Sequence, residues 1–216
     1  MEIDLHIHTN RYSGCSNLDP LALVRRARRI GLDGIALTEH GIRWSDEDIQ
    51  ELRRRAKEDR LLVFPGEEAA CYDRSGRFQG EFLVFGYPRS LGSSRSIEDL
   101  SELVHGEGGV ILAAHPFKKT KTGEGFYGAG YGVYDYSLDG LETAHPSYDA
   151  DSASLARAAE QSLKIAGIGS SDAHDLRSVG LCRTRFFDVL TDLASLCRAI
   201  RERRLEALSQ VRLLAS

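Results

Sequence analysis

The sequence predicts an α/β fold built on a parallel sheet, and three observations carry that reading. Short apolar runs with strand periodicity alternate with amphipathic helical segments six or seven times, the order that produces parallel strands. The side chains with most chemistry, His6/His8, His40, Glu68, His115, Glu142/His145 and Asp172/His174, fall at the C-terminal ends of the runs. Six of the seven histidines are placed this way and only His105 sits on a helix, which is not a random scatter. So many units suit a closed barrel as well as an open sheet, and in a βα barrel that end carries the active site.

The first strand is MEIDLHIHT. Ile3, Leu5 and Ile7 alternate with Asp4, His6 and His8, a period of two. Residues two apart share a face, with Cα atoms roughly 6.6 Å apart, so His6 and His8 can share one metal ion or flank two. Asn10 to Asp19 reads as a loop, and Asn17 to Pro20 as a helix start. The helix LALVRRARRIG follows, with Leu21, Val24, Ala27 and Ile30 as its apolar stripe and Gly31 as its stop. Its arginines, Arg25, Arg26, Arg28 and Arg29, read as a solvated face.

GIALTEH is the second strand, a polar helix runs from about Asp46 to Asp59, and LLVFPGEEAA is the third strand. EFLVFGY is expected to pair with it in a hairpin. A helix from about Ser96 to Gly106 feeds the strand GVILAAHP, with His105 in the last turn where the helix dipole favours it. Residues 117–136, rich in Gly, Tyr and Lys, show no periodicity. LDGLETAHP is a strand, Asp151 to Leu163 a helix, and LKIAGIGSSDAH a strand running into Asp172-x-His174. RTRFFDV is the last strand, and the last helix runs from about Asp192 to Arg204.

At 216 residues the chain is expected to form a single domain over residues 1–216. Its 42% hydrophobic and 28% charged content are ordinary for a globular protein, and a net charge of −4 excludes a generally basic nucleic-acid-binding body. No basic leader precedes an apolar stretch, and no apolar run has the length of a membrane span. Cys15, Cys71, Cys182 and Cys197 show no CxxC spacing. A reduced cytoplasmic protein without membrane contact is the expectation.

Imidazoles and carboxylates converging from separate strands make a nitrogen and oxygen donor set suited to Zn, Mn or Fe. Ions held close together can clamp a phosphate ester and lower the pKa of bound water. A set of buried polar clusters without such a purpose would carry a desolvation cost at each strand end.

The motifs, taken in order, resemble the PHP family, named for polymerase and histidinol phosphatase. They are His6-Ile7-His8, Thr38-Glu39-His40, Pro65-Gly66-Glu67-Glu68, His115-Pro116 and Ser171-Asp172-Ala173-His174, spread over residues 2 to 180. The resemblance implies a distorted (β/α)7 TIM-like barrel with two divalent ions, or three, at its mouth. It implies that His6, His8, Glu68 and Asp172 bind a first ion, that Glu68 bridges to a second held by His115, and that His40 and His174 serve a third. Glu67 is the alternative bridging carboxylate, and Glu39 is expected to orient a histidine.

The chain also departs from the family. The loop after His8 reads YSGCS where relatives often carry an Asp or His, which leaves Cys15 as a ligand or a plain loop residue. EFLVFGY has Phe82 and Leu83 where a histidine is common, so the second site lacks a ligand unless Glu142 or His145 reaches it. His145 stands where related sequences often have Asn, and a substrate contact is an equal reading.

Residues 117–136 are the expected substrate-selecting flap, mobile at its glycines and charged at Lys118, Lys119 and Lys121. The GEGFYG within them matches a dinucleotide fingerprint in letters only, because no helix follows to hold a pyrophosphate. Arg11 and Arg183 are further phosphate-contact candidates, whereas Arg185 reads as a surface residue. The expected function is metal-dependent hydrolysis of a small phosphorylated metabolite or nucleotide by a metal-bound hydroxide, with His40 or His174 moving protons. The alternatives are a phosphodiesterase trimming short oligonucleotides and a non-catalytic metal or ligand-binding module. Long nucleic acids are not expected, since their binding leans on many Lys and Arg contacts.

Overall fold

The computed structural model describes residues 1–211. Its strands are β1 (Glu2–Asp4), β2 (Gly34–Leu37), β3 (Leu62–Tyr72), β4 (Phe78–Phe85), β5 (Val110–Ala113), β6 (Gly140–Ala144), β7 (Ala166–Gly169), β8 (Cys182–Phe186) and β9 (Leu205–Ser209). The helices are α1 (Pro20–Arg29), α2 (Asp46–Ala56), α3 (Ile97–Gly106), α4 (Ala150–Leu163) and α5 (Leu193–Arg201). Each starts on a side-chain cap, namely Asp19, Ser45, Ser96, Asp149 and Asp192, which accepts from a backbone N–H of the first turn.

One sheet runs in the order β7-β6-β5-β4-β3-β2-β1-β8-β9. Strands β1 to β3 pair in parallel, as do β5 to β7. Strand β4 is antiparallel to both β3 and β5, and β8, against the parallel expectation, is antiparallel to both β1 and β9. The cause at β4 is a short reversal, as the hairpin reading expected. Asp73 Oδ1 accepts from the N–H groups of Ser75 and Arg77, each at 2.9 Å, and so leaves no room for a crossover helix.

The two ends of the sheet meet at Thr184. Its Oγ1 accepts from Gly169 N–H at 3.1 Å and donates to Gly169 O at 2.8 Å. A Cβ at Gly169 would stand 2.5 Å from the Arg183 carbonyl oxygen, so only glycine allows so close an approach. The sheet is thereby rolled into a nearly closed barrel, with its seam between β7 and the β8–β9 hairpin. Strand β9 was not expected. Helix α5 stops at Arg201, and Arg203, at φ 54°, turns the chain back along β8.

A buried cluster including Leu5, Ala36, Phe64, Leu83, Leu112 and Ile168 draws on strands around the barrel and continues into α5. Two further clusters lie under the helices, one beneath α1 and α2, the other beneath α3 and α4. Among the described residues no helix is long and apolar enough to cross a membrane.

Three of the five non-glycine residues at positive φ, Lys57, Lys164 and Arg203, lie at or just past helix ends. The other two are His115, at 28°, and Asp172, at 50°. Left-handed backbone at such residues costs energy and persists only where the surroundings enforce it.

Candidate metal centre

The ladder of β1 ends at Asp4, so His6 and His8 lie just beyond it. They are held instead by a parallel bridge between Ile7 and Ala173. His8 N–H donates to Ala173 O at 3.0 Å, and Ala173 N–H to His6 O at 3.3 Å. This brings the H-x-H and D-x-H pairs side by side. Asp4 is turned elsewhere, accepting from Ser171 N–H at 3.0 Å and Gly180 N–H at 2.9 Å. Burial pushes its carboxyl up to about 6, against those hydrogen bonds.

Four side chains converge on one buried point. His6 Nε2 and His8 Nε2 are 2.9 Å apart. His6 Nε2 lies 3.2 Å from Glu68 Oε1 and 3.6 Å from Asp172 Oδ1, and His8 Nε2 lies 3.3 Å from Glu68 Oε2 and 3.4 Å from Asp172 Oδ1. His40 Nδ1 is 2.8 Å from Glu68 Oε2, and His115 Nε2 is 3.2 Å from Glu68 Oε1. His8, His40 and His174 each offer a ligand atom within 4.8 Å of the other two.

The partners on the far side of each ring fix its tautomer. Glu142 accepts from His6 Nδ1–H at 2.8 Å, leaving Nε2 with its lone pair toward the cluster. Ser13 Oγ donates to Glu39 at 2.5 Å, so toward His8 Nδ1, 3.3 Å away, it can only accept. His8 Nε2 is freed in the same way. His174 Nδ1–H donates to Asp172 O at 2.9 Å, leaving Nε2 free. His145 is the reverse case. Its Nδ1 accepts from Ser147 N–H at 3.1 Å, so Nε2 carries the proton and points toward Asp172 Oδ2 at 3.5 Å.

Charge follows this arrangement. Burial opposes ionisation of Glu68, Asp172 and Glu142, yet His6 and neighbouring histidines hold Glu68 and Asp172 well below their usual range and Glu142 at about 2. Burial likewise opposes a charged His6, but Glu68, Glu142 and Asp172 raise its pKa well above the usual imidazole value. Burial lowers both His145 and His174. Glu68 Oε2 is buried without a hydrogen-bond partner, although imidazole nitrogens lie near it. Two freed Nε2 atoms and two ionised carboxylates, one of them with an orphaned buried oxygen, fit a divalent cation.

Other expected roles are corrected by the geometry. Arg183 Nε donates to Glu2 Oε2 at 2.5 Å and Nη1 to Gly180 O at 3.1 Å; Glu2 opens β1, at the end away from His6 and His8, so Arg183 is outside the cluster. Arg11 is taken up by Asp48 at 2.6 Å and stacks on Tyr12 and Trp44. Glu67 faces the other side of β3 and accepts from the N–H groups of Leu91 and Gly92, each at 2.8 Å. Glu39 touches no histidine directly; it accepts from Thr9, Ser13 and Trp44, and reaches His8 only through Ser13. Glu142 binds His6 from behind rather than supplying the second site.

Of the three flap lysines, Lys118 comes to the cluster, its Nζ donating to Asp172 Oδ2 at 3.1 Å. Lys119 is held by Asp149 and Asp151. The flap is itself folded, with Phe117, Phe126 and Tyr131 packed edge to face. Cys15 is exposed with its sulfur 3.4 Å from His40 Nε2, and burial of its surroundings pushes the thiol up. His105 binds Asp139 at 2.8 Å, apart from the cluster.

Sequence reasoning missed Glu81, whose Oε2 lies 3.5 Å from His115 Nε2. The other candidates lie at C-terminal strand ends, and Glu81 does not. Because β4 runs antiparallel, its N-terminal end stands at the mouth, and the hairpin reading of EFLVFGY contained that information.

No curated protein matches the chain. Among solved structures it is similar to a candidate metal-dependent phosphoesterase from Bifidobacterium adolescentis, at 17% identity and TM-score 0.63, covering 94% of this chain and 96% of that one. It is similar to a two-domain protein from Bacteroides vulgatus containing a predicted PHP-like metal-dependent phosphoesterase, at 19% identity and TM-score 0.68, covering 97% of this chain and 64% of that one. A lesion-specific endonuclease from Pyrococcus furiosus shares the fold at 18% identity and TM-score 0.60, with 93% and 56% covered. Residues 152–205 match the PHP-associated family model. With this barrel and a PHP-associated segment in its own sequence, the chain is similar to the PHP-like phosphoesterases in fold and, over residues 152–205, in sequence.

Proposed function

We propose that the protein is a metal-dependent phosphoesterase acting on a small phosphorylated metabolite or nucleotide. The observation that carries this reading is the convergence of His6, His8, Glu68 and Asp172 on one buried point, with the Lys118 ammonium group beside it. His6, His8, Glu68 and Asp172 would hold a first ion, and Glu68 with His115 would take part in holding a second. Such ions supply positive charge to a phosphoryl group and acidify water.

The chain's own residues account for the other steps. Burial works against a charged Lys118, but Asp172 beside it raises the pKa, so the ammonium persists to bind a phosphate oxygen. His145 offers its Nε2–H as a second donor to the same region. His174, kept neutral by burial, has a free Nε2 to accept a proton from the attacking water. His40, half-exposed at the mouth, is placed to return a proton to the leaving oxygen.

Phosphate release from a panel of phosphate esters, with Zn or Mn added, tests the reading. Wild-type protein should turn over at least one ester, and His8→Ala and Asp172→Ala should lose both bound metal and activity. A metal-loaded protein that hydrolyses none of the panel would instead be a binding module.

One observation favours a phosphodiesterase acting on short oligonucleotides as a second reading. A cavity of about 470 Å³ is lined by Ala22, Arg25, Arg26, Arg29, Leu176 and Arg177, the last only three residues past His174. Arginines so grouped suit a phosphate backbone. A dinucleotide cleaved with a steeper salt dependence than a mononucleotide would support this reading.

A further inference from the structure

We propose that Glu81 is the ligand that replaces the absent strand histidine, making the second ion's site an oxygen-rich one formed by Glu68, Glu81 and His115 with His40 beside it. The inference rests on the metal-dependent reading above and concerns how this chain divides its ions.

Four observations place Glu81 there. His40, Glu68 and Glu81 each offer a ligand atom within 4.8 Å of the others, and Glu81 Oε2 is 3.5 Å from His115 Nε2. Glu68 Oε2, on a carboxyl only 1% exposed, has no hydrogen-bond partner and belongs to this group. The register is fixed on both sides of Glu81: it pairs with Ala70 of β3, and its carbonyl accepts from Ala114 N–H at 2.9 Å, next to His115. Phe82 and Leu83, which stand where a histidine is common in similar sequences, are both fully buried in apolar clusters and offer no donor atom.

An ordinary ion pair between Glu81 and His115 is the simpler alternative, and it leaves one feature without a reason. Glu81 and Glu68 direct two carboxylates at one imidazole, an arrangement of like charges that a cation between them would relieve. The first site sets two imidazole nitrogens beside its two carboxylates, whereas the second sets only that of His115 beside Glu68 and Glu81. Carboxylate oxygens suit Mn better than imidazoles do, so the preference for Zn over Mn is expected to be narrower at the second site than at the first.

The test counts ions rather than turnover. Wild-type, Glu81→Gln and Glu81→His proteins are titrated with Zn and with Mn, and bound metal is measured by elemental analysis and, for Mn, by electron paramagnetic resonance. Wild type should take two equivalents. Glu81→Gln should keep the first equivalent, which also shows that it is folded, and bind the second about 10–100-fold more weakly. Glu81→His should regain the second equivalent, with Mn weakened relative to Zn by about tenfold. Two equivalents of unchanged affinity in Glu81→Gln, or a single equivalent in wild type, would overturn the proposal. Wild-type protein that takes up no metal would overturn the phosphoesterase reading as well.

Discussion

His6 and Glu142 are joined by a hydrogen bond from imidazole Nδ1–H to carboxylate oxygen, 2.8 Å long and spanning 136 positions of sequence. The same carboxylate accepts from Ser170 Oγ–H and from the N–H of His115, so it links three elements of the mouth. Glu142→Gln replaces one acceptor oxygen by a donor in a place that holds donors only. First-equivalent metal affinity should fall about 10–100-fold, with a loss of roughly 1–3 kcal/mol in stability. Metal titration and chemical denaturation of the same preparation check both, and unchanged affinity would show that His6 needs no such support.

Glu39 is a second hub. Its carboxylate accepts from Thr9 N–H and Oγ1–H, Ser13 Oγ–H and Trp44 Nε1–H, all buried. Glu39→Ala strands those donors, and at about 1–3 kcal/mol for each orphan the fold should lose on the order of 3 kcal/mol or more. Ser13→Ala is the milder probe. It removes the acceptor behind His8 and one of the donors to Glu39, and should lower metal affinity by about tenfold with a smaller drop in melting temperature than Glu39→Ala.

Lys118→Ala should leave bound metal unchanged, because the ammonium group touches the outer oxygen of Asp172 and not the imidazoles. KM for the best ester should rise about tenfold, in line with the loss of one charge-assisted hydrogen bond. An unaltered KM would mean that Lys118 serves only to hold Asp172.

Metal binding should depend on pH with a definite sign. Burial opposes charge on His6 and His8, but Glu68 and Asp172, with Glu142 at His6, raise both above the usual 6.5. A raised imidazole keeps its proton to higher pH, and the ion must displace it. Affinity should therefore climb as pH rises through 6.5 and beyond, with protons released near pH 7. In the ion-free protein the same pairs contribute stability that is full below about 6.5 and declines as pH rises through the raised values. Calorimetric titration in two buffers of different ionisation enthalpy counts the protons, and none released at pH 7 would contradict the assignment.

Much of this centre was legible in the letters because side chains at the ends of parallel strands follow from periodicity alone. His6, His8, Glu68 and Asp172 are of that kind, and the structure brings them within a few ångströms. What periodicity does not encode is direction. An antiparallel β4 moved Glu81 to the mouth, and the alternation at β3 sent Glu67 away from it. Nor does it encode partners: Arg183 reads as a phosphate contact until Glu2 is found beside it. The closing strand β9 was missed because the left-handed turn at Arg203 carries no glycine to announce it.

The bridge between Ile7 and Ala173 has a consequence for how the protein is made. On the ribosome the first two histidines emerge early, but Asp172 and the strand that carries it follow more than 160 residues later. At about 5–20 residues per second, the N-terminal half waits on the order of ten seconds without its partner. A metal ion cannot find its full donor set in that half, since Asp172, the fourth member of the first set, has yet to be synthesised when Glu68 emerges. Loading is thus a late event that seals a finished barrel, and it reports on completed folding rather than starting it.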